Sequence, residues 1–303
     1  MRREEYAAVC LALRVSLCEP PDTEAALALG LPGVTQEALV SIHSQECALQ
    51  MRQNFGFHRR PEQQRRYVRQ WLEGADLLLL CREANLPPCH LVRFILTAHL
   101  GLSGPGASRL LREPAGLRAA PEGPAGGAPR LGPEARARLE ADIRRACAAD
   151  LVSSPATSTI QRVIGLEYEG VLQRKLRAAG IPFWSEDELR AQDALKTPDV
   201  QLQVPVSIRG HVVHWIDSKA SFCSEAAYRL DLQQFRGYVN RVGPGMVVYW
   251  FGFVAELQDD SDILLADGFP DADIVRLADG ADEGVGRGLE NRGGDGGGGV
   301  GGE

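Results

Sequence analysis

The chain has 303 residues, 44% hydrophobic and 24% charged, a composition that suits soluble globular domains and leaves room for two of them. No apolar run approaches the roughly 18 residues that a membrane span needs. The opening stretch MRREEYAAVCLALRVSLC is not read as a leader, because Glu4 and Glu5 spoil its basic start and Arg14 breaks its apolar run; it predicts an amphipathic helix. Seven cysteines, an odd count with no CxxC pair, argue against a disulfide framework and a structural zinc site, and fit a reducing compartment. The net charge of -7 is unevenly spread. Residues 259–303 carry 12 acidic and 3 basic side chains, which leaves +2 on the rest.

In chain order, residues 1–105 predict short amphipathic helices. Segment 52–69 holds six Arg and one Glu, including Arg59, Arg60, Arg65 and Arg66. Such a stripe suits phosphate contact or is simply a solvated helix face. Residues 75–101 read as helix, turn, helix. Leu77, Leu80, Cys81 and Ala84 share one face, Asn85 suits a left-handed turn residue, and Pro88 suits the first turn of the second helix. Leu91, Val92, Ile95 and Leu96 would bury that helix and leave His90, Arg93 and Thr97 open to a nucleic-acid groove. A weaker copy lies at 23–50. The alternative is a helical protein-docking region.

Residues 106–133 are Gly/Pro-rich and read as a linker with one helical turn near 107–113. Residues 134–278 switch to an α/β pattern: helices at 134–149 and 159–178, two strands, a helix and a buried strand at GPGMVVYWFGF. The acidic Gly-rich tail, 279–303, lacks bulky apolar residues and is expected to be disordered.

The chemistry lies in the two strands, 198–206 and 211–220. Their alternation puts Val200, Leu202, Val204, Val206, Val212 and Ile216 on one core face. A three-residue loop, 208–210, would set Asp199 opposite Lys219 and diagonal to Asp217. Two close carboxylates repel, a divalent cation relieves the repulsion, and magnesium prefers oxygen ligands. Lysine is rare in a chain that favours arginine, and only an ammonium offers a compact, deprotonatable charge. An ordinary cross-strand ion pair is the alternative. Glu169 lies upstream on a helix, and Gln234 and Tyr238 share a face of a downstream helix.

The set Glu169, Pro198-Asp199, Asp217-x-Lys219 and Gln234-x-x-x-Tyr238 resembles the PD-(D/E)xK nuclease superfamily, in the branch with a Gln-x-x-x-Tyr motif. Over 165–270 it is more closely similar to the codanin-interacting nucleases of animals, which carry N-terminal helix-turn-helix modules. The resemblance implies an α/β fold with a restriction-endonuclease-like core, a mixed sheet flanked by helices. It implies magnesium (or manganese) held by Asp199, Asp217 and the Ser218 carbonyl. Lys219 would act on the attacking water, Glu169 would support the metal site, and Gln234 and Tyr238 would line the substrate side. The second acidic position, often Glu, is here the shorter Asp217. Codanin, a regulator of histone supply in erythroid precursors, is the implied partner, DNA or RNA the implied substrate, and nucleus and cytoplasm the implied location. Two readings compete: a nuclease, or a nuclease-fold platform for codanin. A helix-turn-helix transcription factor would leave the carboxylates unexplained.

Overall fold

The computed structural model describes residues 1–119, 131–192, 196–258 and 260–276. The tail 279–303 and much of the expected linker, 120–130, lie outside the described residues.

Eight helices come first: α1 (Arg3–Ala12), α2 (Thr23–Leu27), α3 (Gln36–His58), α4 (Pro61–Leu72), α5 (Leu77–Ala84), α6 (Pro88–Phe94), α7 (Gly104–Arg112) and α8 (Pro133–Ala149). Their starts are written in side chains. Asp22, Thr35, Asp76 and Ser103 each accept from backbone N–H groups at the first turn, and Pro61, Pro88 and Pro133 occupy first-turn positions where no donor is lost. Asn85 ends α5 in the left-handed conformation at φ 45°, as the sequence predicts.

Segment 104–119 differs from the expected linker. Ser103 caps a nine-residue helix, and Ala107, Leu110, Leu111 and Leu117 are buried. Glycine content hid an apolar spacing of three and four. These residues join a core with Trp71, Leu77, Leu91, Leu96 and Ile143. At its centre Trp71 Nε1 donates to the buried Asp142 carboxylate at 2.9 Å, and the Arg138 guanidinium lies 4.8 Å from the indole centre.

The second half holds α9 (Pro155–Ala178), β1 (Phe183–Ser185), α10 (Glu186–Ala191), β2 (Val200–Ile208), β3 (His211–Lys219), α11 (Glu225–Val242), β4 (Gly245–Tyr249), β5 (Ile263–Ala266) and β6 (Ile274–Arg276). The sheet is six-stranded and mixed, ordered β1-β2-β3-β4-β5, with β6 also paired to β2. β3, β4 and β5 run parallel, and β1, β2, β3 and β6 pair antiparallel. The fold is therefore α/β with helices flanking a mixed sheet. One face packs Leu172 and Leu176 of α9 on Val200, Ile216, Met246 and Leu264, and the other packs Phe235 and Tyr238 of α11 on Trp215, Val247 and Leu265. That is why Trp215, Ile216, Asp217 and Ser218 are buried in succession.

The β2–β3 hairpin corrects the expected register. The connection has two residues, Arg209 at φ 51° and Gly210 at φ 81°, the left-handed pair that matches strand twist. Ile208 faces His211 and Val206 faces Val213, but five residues on from Val206 to Gln201 the partner strand advances only two, from Val213 to Trp215. A bulge of three residues around Pro205 takes up the difference. Val204 and Val212 consequently fall off the core face, at 50% and 40% exposure, while Val213 is fully buried.

The N-terminal helices do not stand apart from this sheet. Val9, Leu13, Leu39 and Ile42 share a core with Phe222 and Val254. Ser41 Oγ accepts from Phe222 N at 2.9 Å, Ser224 Oγ donates to Gln45 Oε1 at 3.0 Å, and Arg3 pairs with Glu225.

Candidate active site

Asp217 is 1% exposed, in the middle of the sheet, because β2 and β4 cover both edges of β3 and helices cover both faces. Beyond the bulge, Val200 faces Ile216, so one further step carries Asp199 towards Asp217 rather than Lys219. The expected Asp199–Lys219 cross-strand pair is accordingly replaced. Asp199 Oδ2 accepts from Ser218 N at 2.7 Å, and Lys219 Nζ lies 2.7 Å from Asp217 Oδ2 on its own strand. That ion pair lacks hydrogen-bond alignment, so the buried Asp217 Oδ2 is left with no hydrogen bond. The three residues still meet at one corner.

The approach to Asp199 is clamped from two sides. Glu186 N, at the start of α10, donates to Asp199 O at 3.1 Å, and Thr197 Oγ1 donates to Glu186 Oε1 at 3.3 Å. From α11, Tyr238 OH donates to Thr197 O at 2.9 Å, and Gln234 Nε2 donates to Tyr238 OH. Gln234 and Tyr238 thus act as a strut as well as a wall. With Glu186, Arg190, Lys196 and Thr197 they line a cavity of about 430 Å³.

The electrostatics follow from burial. Burial lifts the Asp199 carboxyl well above the usual carboxylate range, and the Asp217 charge lifts it further, against the Ser218 N–H and Lys219. Glu169, half-buried on α9, is raised by burial, then by Glu186 and Asp217. For Lys219, burial works to lower the ammonium, but Asp217, then Asp231 and Asp199, outweigh it and the net direction is upward. Lys219 is a firm cation, set 5.7 Å above the Phe235 ring.

Asp231 is the residue the motif reading missed. It sits three positions before Gln234 on α11, is raised by burial against the Lys219 charge, and accepts from Tyr249 OH at 3.1 Å. Its spacing to Gln234 on one helix face was the available signal.

The corner offers a hard-oxygen donor set: two carboxylates, one with an oxygen lacking a hydrogen bond, and the Ser218 backbone beside them. Among the described residues no cluster of three or more His, Cys, Asp or Glu side chains has metal-binding geometry. A cation here would rest on two carboxylates, a carbonyl and water. That fits magnesium, which keeps several waters and takes few carboxylates.

The residues expected to contact nucleic acid divide. Arg59, Arg60, Arg65 and Arg66 are exposed around the α3–α4 corner, with Arg59 over Phe55 and Arg60 over Phe57. The face of α6 is less open than the helix-turn-helix pattern implies. Leu91, Val92, Ile95 and Leu96 are buried as expected, but His90 packs edge-on to Phe55 and burial, then Arg93, pushes it down to about 4. Thr97 Oγ1 donates to Arg93 O at 2.8 Å, in a π-helical turn at Ile95–His99. Helices α4, α5, α7 and α8 surround α6.

Comparison with known proteins adds a lineage to this geometry. The zebrafish (Danio rerio) protein named CDAN1-interacting nuclease 1 is 37% identical over 258 residues, covering 80% of each chain. The chain belongs to the CDAN1-interacting nuclease 1 family. The human (Homo sapiens) relative is 35% identical over 264 residues, 81% of this chain and 87% of its own, and the chicken (Gallus gallus) relative is 32% identical over 262 residues, 81% and 86%. A family profile described as "Protein of unknown function TPD sequence-motif" matches residues 135–269, which run from α8 to just past β5. No solved structure matches the chain. Among the described residues no helix is long and apolar enough to cross a membrane.

Proposed function

We propose that this chain is a divalent-metal-dependent phosphodiesterase of nucleic acid with a PD-(D/E)xK-type core, and that it associates with codanin, as its relatives' name says of them, in nucleus and cytoplasm. One observation carries the reading: a fully buried carboxylate, Asp217, whose Oδ2 has no hydrogen bond and faces Lys219 next to Asp199. Buried carboxylate oxygens without hydrogen bonds are costly, and positive charge beside them is the usual remedy.

Asp199, Asp217 and the Ser218 carbonyl would hold magnesium or manganese. When bound, the metal supplies positive charge that polarises a phosphodiester and eases loss of a proton from water. Lys219, kept cationic, orients the attacking water and offsets charge gathering on the phosphoryl group. Glu169, whose carboxyl is raised by burial, is suited to take up a proton. The strut from Gln234 through Tyr238 to Thr197 holds the segment that aims Asp199. The Arg59–Arg66 corner supplies charge for the backbone of a longer substrate.

One feature favours a second reading. The Lys219 ammonium already stands at the oxygen a metal would take, which suits a non-catalytic platform for codanin. The test is magnesium and manganese titration by calorimetry, with cleavage of single-stranded, duplex, flap and branched DNA and RNA, alongside Asp199→Ala and Lys219→Ala. Metal binding lost in Asp199→Ala and cleavage lost in both variants support the enzyme. A folded protein that neither binds metal nor cleaves any substrate supports the platform.

A further inference from the structure

A cavity larger than the one beside Tyr238 lies elsewhere in the molecule. It is a cleft of about 530 Å³ between α3 and α9, floored by the chain that leaves β3. Ala220 and Ser221 form this floor, so the cleft begins at the residue after Lys219. Helix α9 links the two places as well. Ile164 lines the cleft, and Glu169 lies five residues on, roughly 7.5 Å along the helix axis. The cleft and the Lys219 corner are thus built on the same two elements, the end of β3 and helix α9.

The lining has a definite chemistry. It contains no Lys or Arg, and Glu37 is its one charged side chain. A phosphate would find no counter-charge there. The walls are apolar at Val40 and Ile164 and aromatic at Phe251, whose ring stands edge-on to Tyr168 at 5.4 Å. Apart from Glu37 the polar groups are uncharged hydrogen-bonding ones, and Gln161 Nε2 donates across the gap to Ser44 Oγ at 3.3 Å. A flat π-faced ligand edged with donors and acceptors, attached to a phosphate but not itself charged, is a nucleobase.

We infer that the α3–α9 cleft receives the unstacked base of the nucleotide next to the phosphodiester held at Lys219. The inference rests on the nucleolytic reading and adds to it a substrate form, a strand whose base can leave the stack. It also gives the N-terminal helical region a part in the site: α3 closes one side of the pocket, held there by the Ser41 and Gln45 bonds to Phe222 and Ser224.

The test uses the full chain in calcium with short single-stranded oligonucleotides, either natural or with an abasic position moved along the strand, and with 2-aminopurine in place of one base as a fluorescent probe. Val40→Trp fills the cleft from a half-exposed position, and Gln161→Ala trims an exposed side chain without a cavity. We expect an abasic position at one register to weaken binding about tenfold, the scale of a lost base stack. Val40→Trp should weaken the natural strand similarly and leave that abasic strand unchanged, with Gln161→Ala intermediate. Equal binding of natural and abasic strands at every register, with cleavage in magnesium intact, overturns the pocket and leaves the nuclease standing. Base-dependent binding that both variants reduce, without cleavage in magnesium, keeps the pocket and removes the nuclease. Loss of codanin binding in Val40→Trp with oligonucleotide binding unchanged assigns the cleft to a protein segment and overturns the proposal, as does no oligonucleotide binding at all.

Discussion

Replacing Asp199 with Asn should make the metal-free protein more stable, although it removes a central residue of the site. The substitution is isosteric, and the Asn carbonyl oxygen can still accept from Ser218 N, which now bonds to Asp199 Oδ2 at 2.7 Å. What disappears is one of two carboxylates crowded at a buried corner. The Asp199 carboxyl is raised in the folded protein, by burial and then by Asp217. A raised carboxyl binds its proton more tightly folded than unfolded. Its contribution is therefore most favourable below the unfolded value near 3.9 and is lost as pH rises from there through the folded value. Holding a proton up to pH 7 costs at most about 4 kcal/mol on that account. Ser218 N–H and Lys219 already offset part of the charge, so we expect Asp199→Asn to add about 1–2 kcal/mol at pH 7, or roughly 2–8 °C in melting temperature. The assay is thermal unfolding from pH 5 to 8 in EDTA, repeated with manganese. The gap between variant and wild type should widen with pH in EDTA, and manganese should raise the wild type alone. A variant that melts at or below the wild type across this range in EDTA would refute the argument, because it would show that the two carboxylates do not repel.

Other outcomes follow from single contacts. Gly245→Ala should cost more than about 3 kcal/mol and leave mostly insoluble protein, since a Cβ there would sit 2.1 Å from the Trp215 ring; solubility and melting temperature check it. Asp142→Ala strips the buried acceptor of Trp71 and the partner of Arg138 and Arg145, and should lower stability by about 3–5 kcal/mol in chemical denaturation. Tyr238→Phe removes the hydroxyl between Gln234 and Thr197; a loss of about 1 kcal/mol in stability should accompany a larger fall in cleavage rate, and equal falls would reduce the strut to packing. Arg59→Glu with Arg60→Glu should leave melting unchanged, weaken binding to all nucleic-acid sequences alike, and flatten its salt dependence, as read by anisotropy at several salt concentrations.

Much of this was legible in the sequence, for identifiable reasons. Asn85, Pro88 and the caps mark helix ends locally, and local chemistry needs no tertiary knowledge to be read. β4 was legible as a buried strand because MVVY is apolar without alternation, and it pairs with β3 in parallel. The hairpin register was not legible. Arg209-Gly210 forms a two-residue turn where three were expected, and the bulge near Pro205 then shifts the pairing three residues the other way, so that Asp199 comes towards Asp217 and not Lys219. Neither feature alters the apolar spacing that set the expectation. Asp231 was missed because no motif holds it; its spacing to Gln234 puts the two on one helix face, but the fold is needed to bring that face to Lys219. The helices α7 and α10 and the strands β1, β5 and β6 are short, and the pairing that defines these strands is with residues distant in sequence. Arg59 and Arg60 are as exposed as their charge suggests, while His90 was drawn inward by Phe55, a contact that no spacing rule anticipates.

The bulge in β2 also makes the hairpin a mechanically two-part object. Its distal end, Val206–Ile208, is fastened to β6 and to His211–Val213 in one register, while its proximal end carries Asp199 in another. Slack between two registers absorbs displacement instead of transmitting it. The Arg209-Gly210 turn is solvent-exposed and on the far side of that slack from the carboxylates. It is therefore a place where a fluorophore or a short inserted tag can be attached to follow this protein without moving its charged corner.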